Sequence, residues 1–579
     1  MTRLPRPITA GSVRSLRGRV SAGPARSGAA CRPALLLLVM FCAWLASGCA
    51  AMPDERRATF GIDFRLPAAA AAQKPTAIVF FVDGVNQEVL DSMLAAGRMP
   101  NLKKYFVDRG LYVEHCTSSI PGVTLPNETS LVTGMLAGHH GITGINWFDR
   151  TSLVARNYEE VNQKNALDGD YLAPTVYERL SDATTMSLFF QAHRGATKFA
   201  ENWISAGPPY YFGWYGLVDR IALWRFDLVA QVARAQQEFP TFVIAYMLSP
   251  DMEAYRSGVS SDAYRRALEH TDAQMGRILR DLEAAGRLDK TVIVWTSDHG
   301  MMDVKSHWPI KKFLRDELRL AVAGEGFAED FSLESRMWYY ERLTCVPKGS
   351  GDRYWALTLR KPKAAAGKDD RSFAFEPNWL ARPSADDLRA YPTRDGRRVD
   401  LIARLREAEA VDLVACKTGP DSVRVATKKG VADVTRTDSR GRRLRLTTVE
   451  GDDPLGYAAT VPAEMLDGSA HEDRAWLAAT ARSPYPDLVP QIMAYFDAHR
   501  AGDIIIFAAP GWDFAHSNKA GHGGLGPAEM FSALLAAGPG VPHERRAEPV
   551  RIVDIMPTIL ELLGRPVPAD IDGRSLLGR

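Results

Sequence analysis

The residues able to do chemistry sit where apolar runs end. Asp83 closes the run at 76–82, Asp251 follows 242–247 by way of Leu248-Ser249-Pro250, and Asp298-His299 follow 291–295. A late loop at 511–524 adds His522. Carboxylate plus imidazole is the ligand set of zinc and similar first-row metals. One Asp after a strand is more often a turn former or cap. The placement of several at strand ends is the signal, because parallel α/β sheets gather ligands at the carboxyl ends of their strands. The second element is the stretch around Thr124. Pro121-Gly122 makes a turn, Pro126 suits a first helical turn, and a helix over 127–133 stops at Gly134. Thr124 then lies just ahead of a helix N-terminus, where backbone N–H groups and the helix dipole stabilise an anion. The Asn127 amide, three residues on, is placed to donate to the same anion. A threonine hydroxyl is a poor nucleophile unless a base or a metal holds it as alkoxide. The other reading of this stretch is an ordinary capped loop.

The elements that must position them can be read from hydrophobic pattern. The unbroken apolar run at 76–82 marks a strand buried on both faces. A helix follows over 87–96, Pro100 opens another, and a short strand at 111–114 feeds the Thr124 loop. Further strands are expected at 186–190, 242–247 and 291–295, with a long amphipathic helix over 262–285. This alternation predicts an α/β fold with a mostly parallel central sheet and helices on both faces. From 321 to 484 the pattern breaks into short strand-like runs (337–340, 355–359, 422–427, 442–447) among charged turns, read as an inserted α+β cap. Regularity returns with a helix near 488–498, a strand at 503–508, the loop carrying His516 and His522, a strand at 531–537 and a last helix over 550–563. The organisation is thus a leader (1–49), a linker (50–75), a first catalytic core segment (76–320), the cap (321–484) and a second catalytic core segment (485–579).

The leader has its own composition. Its 49 residues hold seven Arg and no acid, then an apolar run from Ala34 to Ala46, then Ser47-Gly48-Cys49. A positive flank, an apolar core too short for a comfortable span and small residues make an export signal. Small residues directly before Cys49 resemble a bacterial lipoprotein cleavage site, with Cys49 as the lipidated residue and the protein held to the envelope in the periplasm. Ala46 stands where Leu is usual. The whole chain carries 71 basic and 69 acidic residues. Without the seven leader arginines it holds 64 against 69, a net charge near −5, and no basic stripe suited to nucleic acid is visible. Of six Cys, Cys116, Cys345 and Cys416 lie beyond Cys49, and a Cys345–Cys416 disulfide is an open option for an exported protein.

The sequence resembles the alkaline phosphatase superfamily, in particular its type I phosphodiesterase/nucleotide pyrophosphatase family. The resemblance covers about 76–300 and 485–575 and omits the insertion. It is carried by Phe81-Val82-Asp83-Gly84, Thr124-Leu125-Pro126-Asn127 with the 130–134 stretch, His140-Gly141-Ile142, Ser249-Pro250-Asp251, Thr296-Ser297-Asp298-His299-Gly300-Met301, Gly521-His522-Gly523 and the tail around Asp554 to Gly573. It implies a phosphoric ester hydrolase with two divalent ions, zinc by first choice. One ion would be held by Asp83, Asp298, His299 and the Thr124 oxygen, the other by Asp251, His522 and a further His four residues after Asp251. That position is Tyr255, a costlier ligand with a free pKa near 10. Three outcomes stay open: a weak second site, one completed by another group such as Glu253 or His516, or none.

By the same resemblance, a Thr124 alkoxide attacks phosphorus in line, Asn127 and backbone amides hold the equatorial oxygens, and water hydrolyses the phospho-threonine. No Cys-x-Pro-x-Arg sulfatase pattern surrounds Thr124. Trp147 and Tyr255 join Asn127 as candidate substrate contacts. The aromatic run of Tyr210, Tyr211, Phe212, Trp214 and Tyr215 is either a nucleobase or lipid-headgroup surface or loop packing. The expected partner is a small phosphate ester, with the membrane reached through Cys49. The rival readings are a phosphomonoesterase or phospho-headgroup transferase of the same superfamily, and a degenerate envelope binding protein without turnover.

Overall fold

Every residue of the strand Thr76–Val82 is buried, because it is central in its sheet and covered on both faces. The computed structural model describes residues 62–578, except 63, 74, 161–162, 325–331, 364–374, 439–441 and 516. The leader, Cys49, the start of the linker and His516 lie outside the described residues. The main sheet runs Glu544–Arg546, Leu111–Thr117, Phe531–Ala537, Thr291–Thr296, Thr76–Val82, Phe242–Met247, Thr185–Leu188, Lys198–Ala200, with Val550–Arg551 also paired to Leu111–Thr117. Val79 pairs with Ile244 on one side and Val294 on the other, both parallel. Phe531–Ala537 is antiparallel to both its neighbours. The mostly parallel α/β sheet read from the sequence is therefore present.

Strand alternation splits the core into two layers. Ile78, Phe80 and Val82 pack with Leu90 and Met93 of the helix Gln87–Ala95 and with Leu268, Met275 and Leu279 of the helix Asp262–Ala284. Ala77, Val79 and Phe81 face the other way, in one cluster with Leu131 and Val132 of the helix Thr124–Thr133 and Ile555 and Ile559 of the helix Ile555–Leu562. The long helix has a clear start signal: the Ser261 side chain accepts from the Tyr264 N–H. The sheet thus holds the helix Thr124–Thr133 on one face and delivers its strand ends to one edge.

A second, antiparallel sheet runs Cys345–Ser350, Tyr354–Leu359, Ile504–Ala508, Val411–Gly419, Ser422–Thr427, Gly430–Arg436, Arg443–Glu450, His471–Glu472. Two corrections follow from it. The 504–508 strand, read from its apolar run as a return to the core, pairs with Tyr354–Leu359 and Val411–Gly419 instead. An all-apolar strand fits the middle of either sheet, so its pattern could not choose between them. Residues 337–340 are not a strand but the end of the helix Leu333–Tyr340, whose start is fixed by Ser332 accepting from Ser335 N–H. That cap outweighs the strand preference of the aromatics. Likewise 550–563 divides into the Val550–Arg551 pairing, a short turn, and the helix Ile555–Leu562, because Arg551 is pulled into a buried ion pair with Asp487 at 2.7 Å. Cys345 and Cys416 are free buried thiols in one apolar cluster, so the optional disulfide is not formed.

Candidate active site

The helix Thr124–Thr133 begins at Thr124 itself, three residues earlier than its sequence pattern suggests, with Val123 as its extended cap residue. Asn127 N–H closes the first turn onto Val123 O at 3.2 Å. The N–H groups of Thr124 and Leu125 open the helix, where no intrahelical acceptor exists. Gly134 ends it at φ 69°, the left-handed conformation that glycine adopts without strain. His140 pins the helix from the side: its Nε2 lies 3.0 Å from Ser130 Oγ and 3.1 Å from Pro126 O. The helix Leu488–Tyr495 grips the entering loop through Gln491, which accepts from Ile120 N–H at 2.7 Å and donates to Ser118 O at 2.8 Å.

Asn127 has a different task from the expected one. Its Nδ2 faces the carbonyls of Ser119, Pro121 and Val123 at 3.0–3.2 Å, and its Oδ1 accepts from Ser119 N–H at 2.7 Å. The side chain is fully buried and shapes the loop ahead of Thr124 rather than offering an amide to a ligand. Trp147 is corrected as well. It is buried in the core, its indole N–H donates to Tyr158 Oη at 3.2 Å, and the Arg500 guanidinium lies 4.3 Å from its ring. Its sequence neighbours gave no sign of that burial. The other aromatics divide: Tyr211, Phe212 and Trp214 are exposed, whereas Tyr215 packs against a small apolar cluster.

The predicted ligands converge. Asp83, Asp298 and His299 bring one ligand atom each within 4.8 Å of one another, and so do Asp251, His299 and His522. His299 Nε2 lies 3.0 Å from Asp298 Oδ2, 3.6 Å from Asp83 Oδ1 and 3.4 Å from Thr124 Oγ1. His522 Nε2 is 3.8 Å from Asp251 Oδ1, and the two imidazoles stack at 3.7 Å. Each ring uses Nδ1 on a backbone carbonyl: His299 on Gly300 O at 3.1 Å, His522 on Gly122 O at 2.9 Å. That turns both Nε2 atoms toward the carboxylates, Asp298 and Asp83 for His299 and Asp251 for His522.

The orphaned atoms say what is meant to lie between them. Asp83 Oδ1 and Asp251 Oδ1 are buried and have no hydrogen-bond partner, and Asp298 Oδ2 meets only the His299 imidazole at 3.0 Å. Buried carboxylate oxygens left unsatisfied are costly, and divalent cations satisfy them. Electrostatics agree. Burial, then Asp298 and Asp251, push the Asp83 carboxyl well up. Burial pushes Asp251 up to about 7. Burial would raise Asp298 too, but His299 outweighs it and holds that carboxyl low. The donor set fits a divalent-metal centre.

Supporting groups went unread in the sequence. Asp219 accepts from Leu248 N–H at 2.8 Å and from Ser249 N–H at 3.3 Å, fixing the start of the helix Ser249–Ser257 that carries Asp251. Tyr246 donates its hydroxyl to Asp83 Oδ2. Glu128, behind the nucleophile, accepts from Gln191 and Ala192 N–H at 3.0 and 3.1 Å, and burial pushes its carboxyl up to about 8. A carboxyl raised on folding keeps a proton that the unfolded chain releases, so it destabilises the fold as pH climbs from its free value toward 8. The Glu128→Gln variant of metal-free protein should therefore lose part of the wild-type fall in stability between pH 5 and 8.5. The expected difference is on the order of a few kcal/mol, read from urea midpoints.

A mostly parallel sheet whose carboxyl edge gathers three carboxylates and two imidazoles beside a helix-borne hydroxyl defines an alkaline-phosphatase-like protein. Residues 77–343 match the family model of type I phosphodiesterase / nucleotide pyrophosphatase. The chain is similar to the bis(5'-adenosyl)-triphosphatase enpp4 of Mus musculus, 25% identical over 235 residues that cover 39% of this chain and 47% of that protein. It is also similar to the venom phosphodiesterase of Naja atra, 22% identical over 320 residues, 52% of this chain and 37% of that protein. The chain thus spans about half the length of the enpp4 relative it matches. Among solved structures, murine ectonucleotide pyrophosphatase / phosphodiesterase 5 shares the fold, with TM-score 0.50, 14% identity and coverage of 86% of this chain and 96% of that one.

Proposed function

We propose that the protein is a metal-dependent phosphoric ester hydrolase of the phosphodiesterase or nucleotide pyrophosphatase kind, acting through a phospho-threonine on Thr124 with two divalent ions, zinc by first choice. The observation that carries this reading is the placement of Thr124 Oγ1 3.4 Å from His299 Nε2, at the cluster where Asp83, Asp298 and His299 converge and Asp83 presents an unpartnered oxygen. Asp83, Asp298 and His299 would hold one cation and Asp251 and His522 the other, and cations bound there would lower the pKa of the Thr124 hydroxyl and offset the charge of the phosphoryl group. Thr124 Oγ1 attacks phosphorus in line, its bond to phosphorus forming as the bond to the leaving oxygen breaks. The free N–H groups of Thr124 and Leu125 face the phosphoryl oxygens at the helix start. Water then cleaves the phosphorus–Oγ1 bond and restores the hydroxyl. Asn127, His140 and Gln491 keep the loop and helix in register throughout.

The name of the enpp4 relative, a bis(5'-adenosyl)-triphosphatase, makes nucleotide phosphoanhydrides the first substrates to try. For location the reading is an exported protein held to the envelope by a lipid on Cys49, supported by the leader's seven arginines, apolar run and Ser47-Gly48-Cys49. The test is a panel of zinc-loaded protein against bis-nitrophenyl phosphate, nitrophenyl phosphate, diadenosine triphosphate and phospholipid headgroups. Cleavage of a diester or anhydride, abolished by a chelator and restored by zinc, is expected. Phosphate release from the monoester alone, or no hydrolysis with no bound metal, refutes it.

A further inference from the structure

The second cation position lacks a ligand if Tyr255 stays a phenol, and a turn of the second sheet that carries a carboxylate is bridged through its backbone to His522. We propose that Asp352, in the turn joining Cys345–Ser350 to Tyr354–Leu359, completes the second cation position with Asp251 and His522. The proposal rests on the metal-dependent reading above.

The turn is built onto the ligand loop. His522 N–H donates to Gly351 O at 3.0 Å, and Asp352 forms a backbone bridge with His522. The contact is close enough that a Cβ on Gly351 would sit 2.7 Å from His522 Cε1 and Nδ1. Gly351 and Asp352 both take left-handed φ, 63° and 64°. Glycine does so freely, whereas Asp is among the few side-chain-bearing residues that tolerate it, at some strain. Arg353 locks the turn behind, through Glu529 at 2.6 Å and the carbonyls of Ala508, Ala509 and Trp512. Asn518 donates to Asp352 Oδ2, the kind of outer contact that orients a ligating carboxylate. Asp251 Oδ1, buried and without a partner, is the atom that such an ion would join to Asp352.

The competing groups are placed differently. Glu253 accepts from Ser257 Oγ at 2.7 Å and faces Arg256 at 3.5 Å. Tyr255 meets the His522 ring at an angle, 5.7 Å between centroids.

Zinc titration of metal-free protein by calorimetry, with metal counted by mass spectrometry, tests this. Wild type is expected to take two equivalents. Asp352→Asn keeps a residue suited to left-handed φ and should hold one equivalent unchanged. Its second should weaken by more than the roughly 10–100-fold that loss of an outer contact costs. Tyr255→Phe should still take two, and Tyr255→His added to Asp352→Asn should recover the second. A near-UV difference spectrum of the unmodified protein needs no substitution: the second equivalent should produce no tyrosinate band. Two wild-type equivalents unaltered in Asp352→Asn, or a tyrosinate band at the second, overturn the assignment to Asp352 alone. A wild type that binds no zinc overturns the metal-dependent reading, and this proposal with it.

Discussion

Thr124→Ala is expected to lower diester turnover by roughly 10⁴-fold or more while leaving the fold intact. The hydroxyl is half-buried, the helix cap is Val123 with no side-chain cap bond, and Oγ1 contacts His299 Nε2 at 3.4 Å. Removing it deletes no cap and leaves no buried donor stranded, so a loss of rate cannot be charged to unfolding. Thr124→Ser keeps the oxygen and should retain much of the turnover. The measurement is kcat on bis-nitrophenyl phosphate at saturating zinc, beside a thermal melt. A loss under tenfold in the Ala variant contradicts the nucleophile assignment.

Glu529→Ala is expected to destabilise the protein by about 3–5 kcal/mol. Arg353 and Glu529 form a buried ion pair with both side chains 2% exposed, through Nε to Oε1 at 2.6 Å and Nη2 to Oε2 at 3.1 Å. Glu529 Oε1 also accepts from Gly524 N–H at 2.8 Å. Truncating the acid strands a buried guanidinium and frees the loop that carries His522. Stability and activity should therefore fall together, read from guanidinium unfolding and from zinc-dependent hydrolysis of the same preparation. A change below about 1 kcal/mol would show that the remaining carbonyl partners of Arg353 suffice.

The ligands Asp83, Asp251 and Asp298 were legible because each follows a run that is apolar at nearly every position, and a strand buried on both faces leaves its next polar residue at the sheet edge. The helix that carries Thr124 was legible from Pro126 in its first turn and Gly134 at its end, both by backbone constraint. Asn127 was misread because spacing gives proximity to the anion position but not direction. Three carbonyls of the loop 119–123 claim its amide. Asp352 was beyond reach for another reason. It stands in a hairpin of the insertion, 101 residues after Asp251 in number, and the backbone bridge to His522 brings it near. Trp147 shows the opposite error, in which an aromatic beside a motif is core rather than surface.

The convergence around Thr124 is tested most directly by an anomalous-difference map at the zinc edge from a crystal of zinc-loaded protein. The account predicts a peak bounded by Asp83, Asp298 and His299, with the Thr124 oxygen roughly 2 Å from it, and a second peak against Asp251 and His522. A map with no peak among these side chains, or with zinc bound elsewhere and the Thr124 hydroxyl turned from the carboxylates, would contradict it.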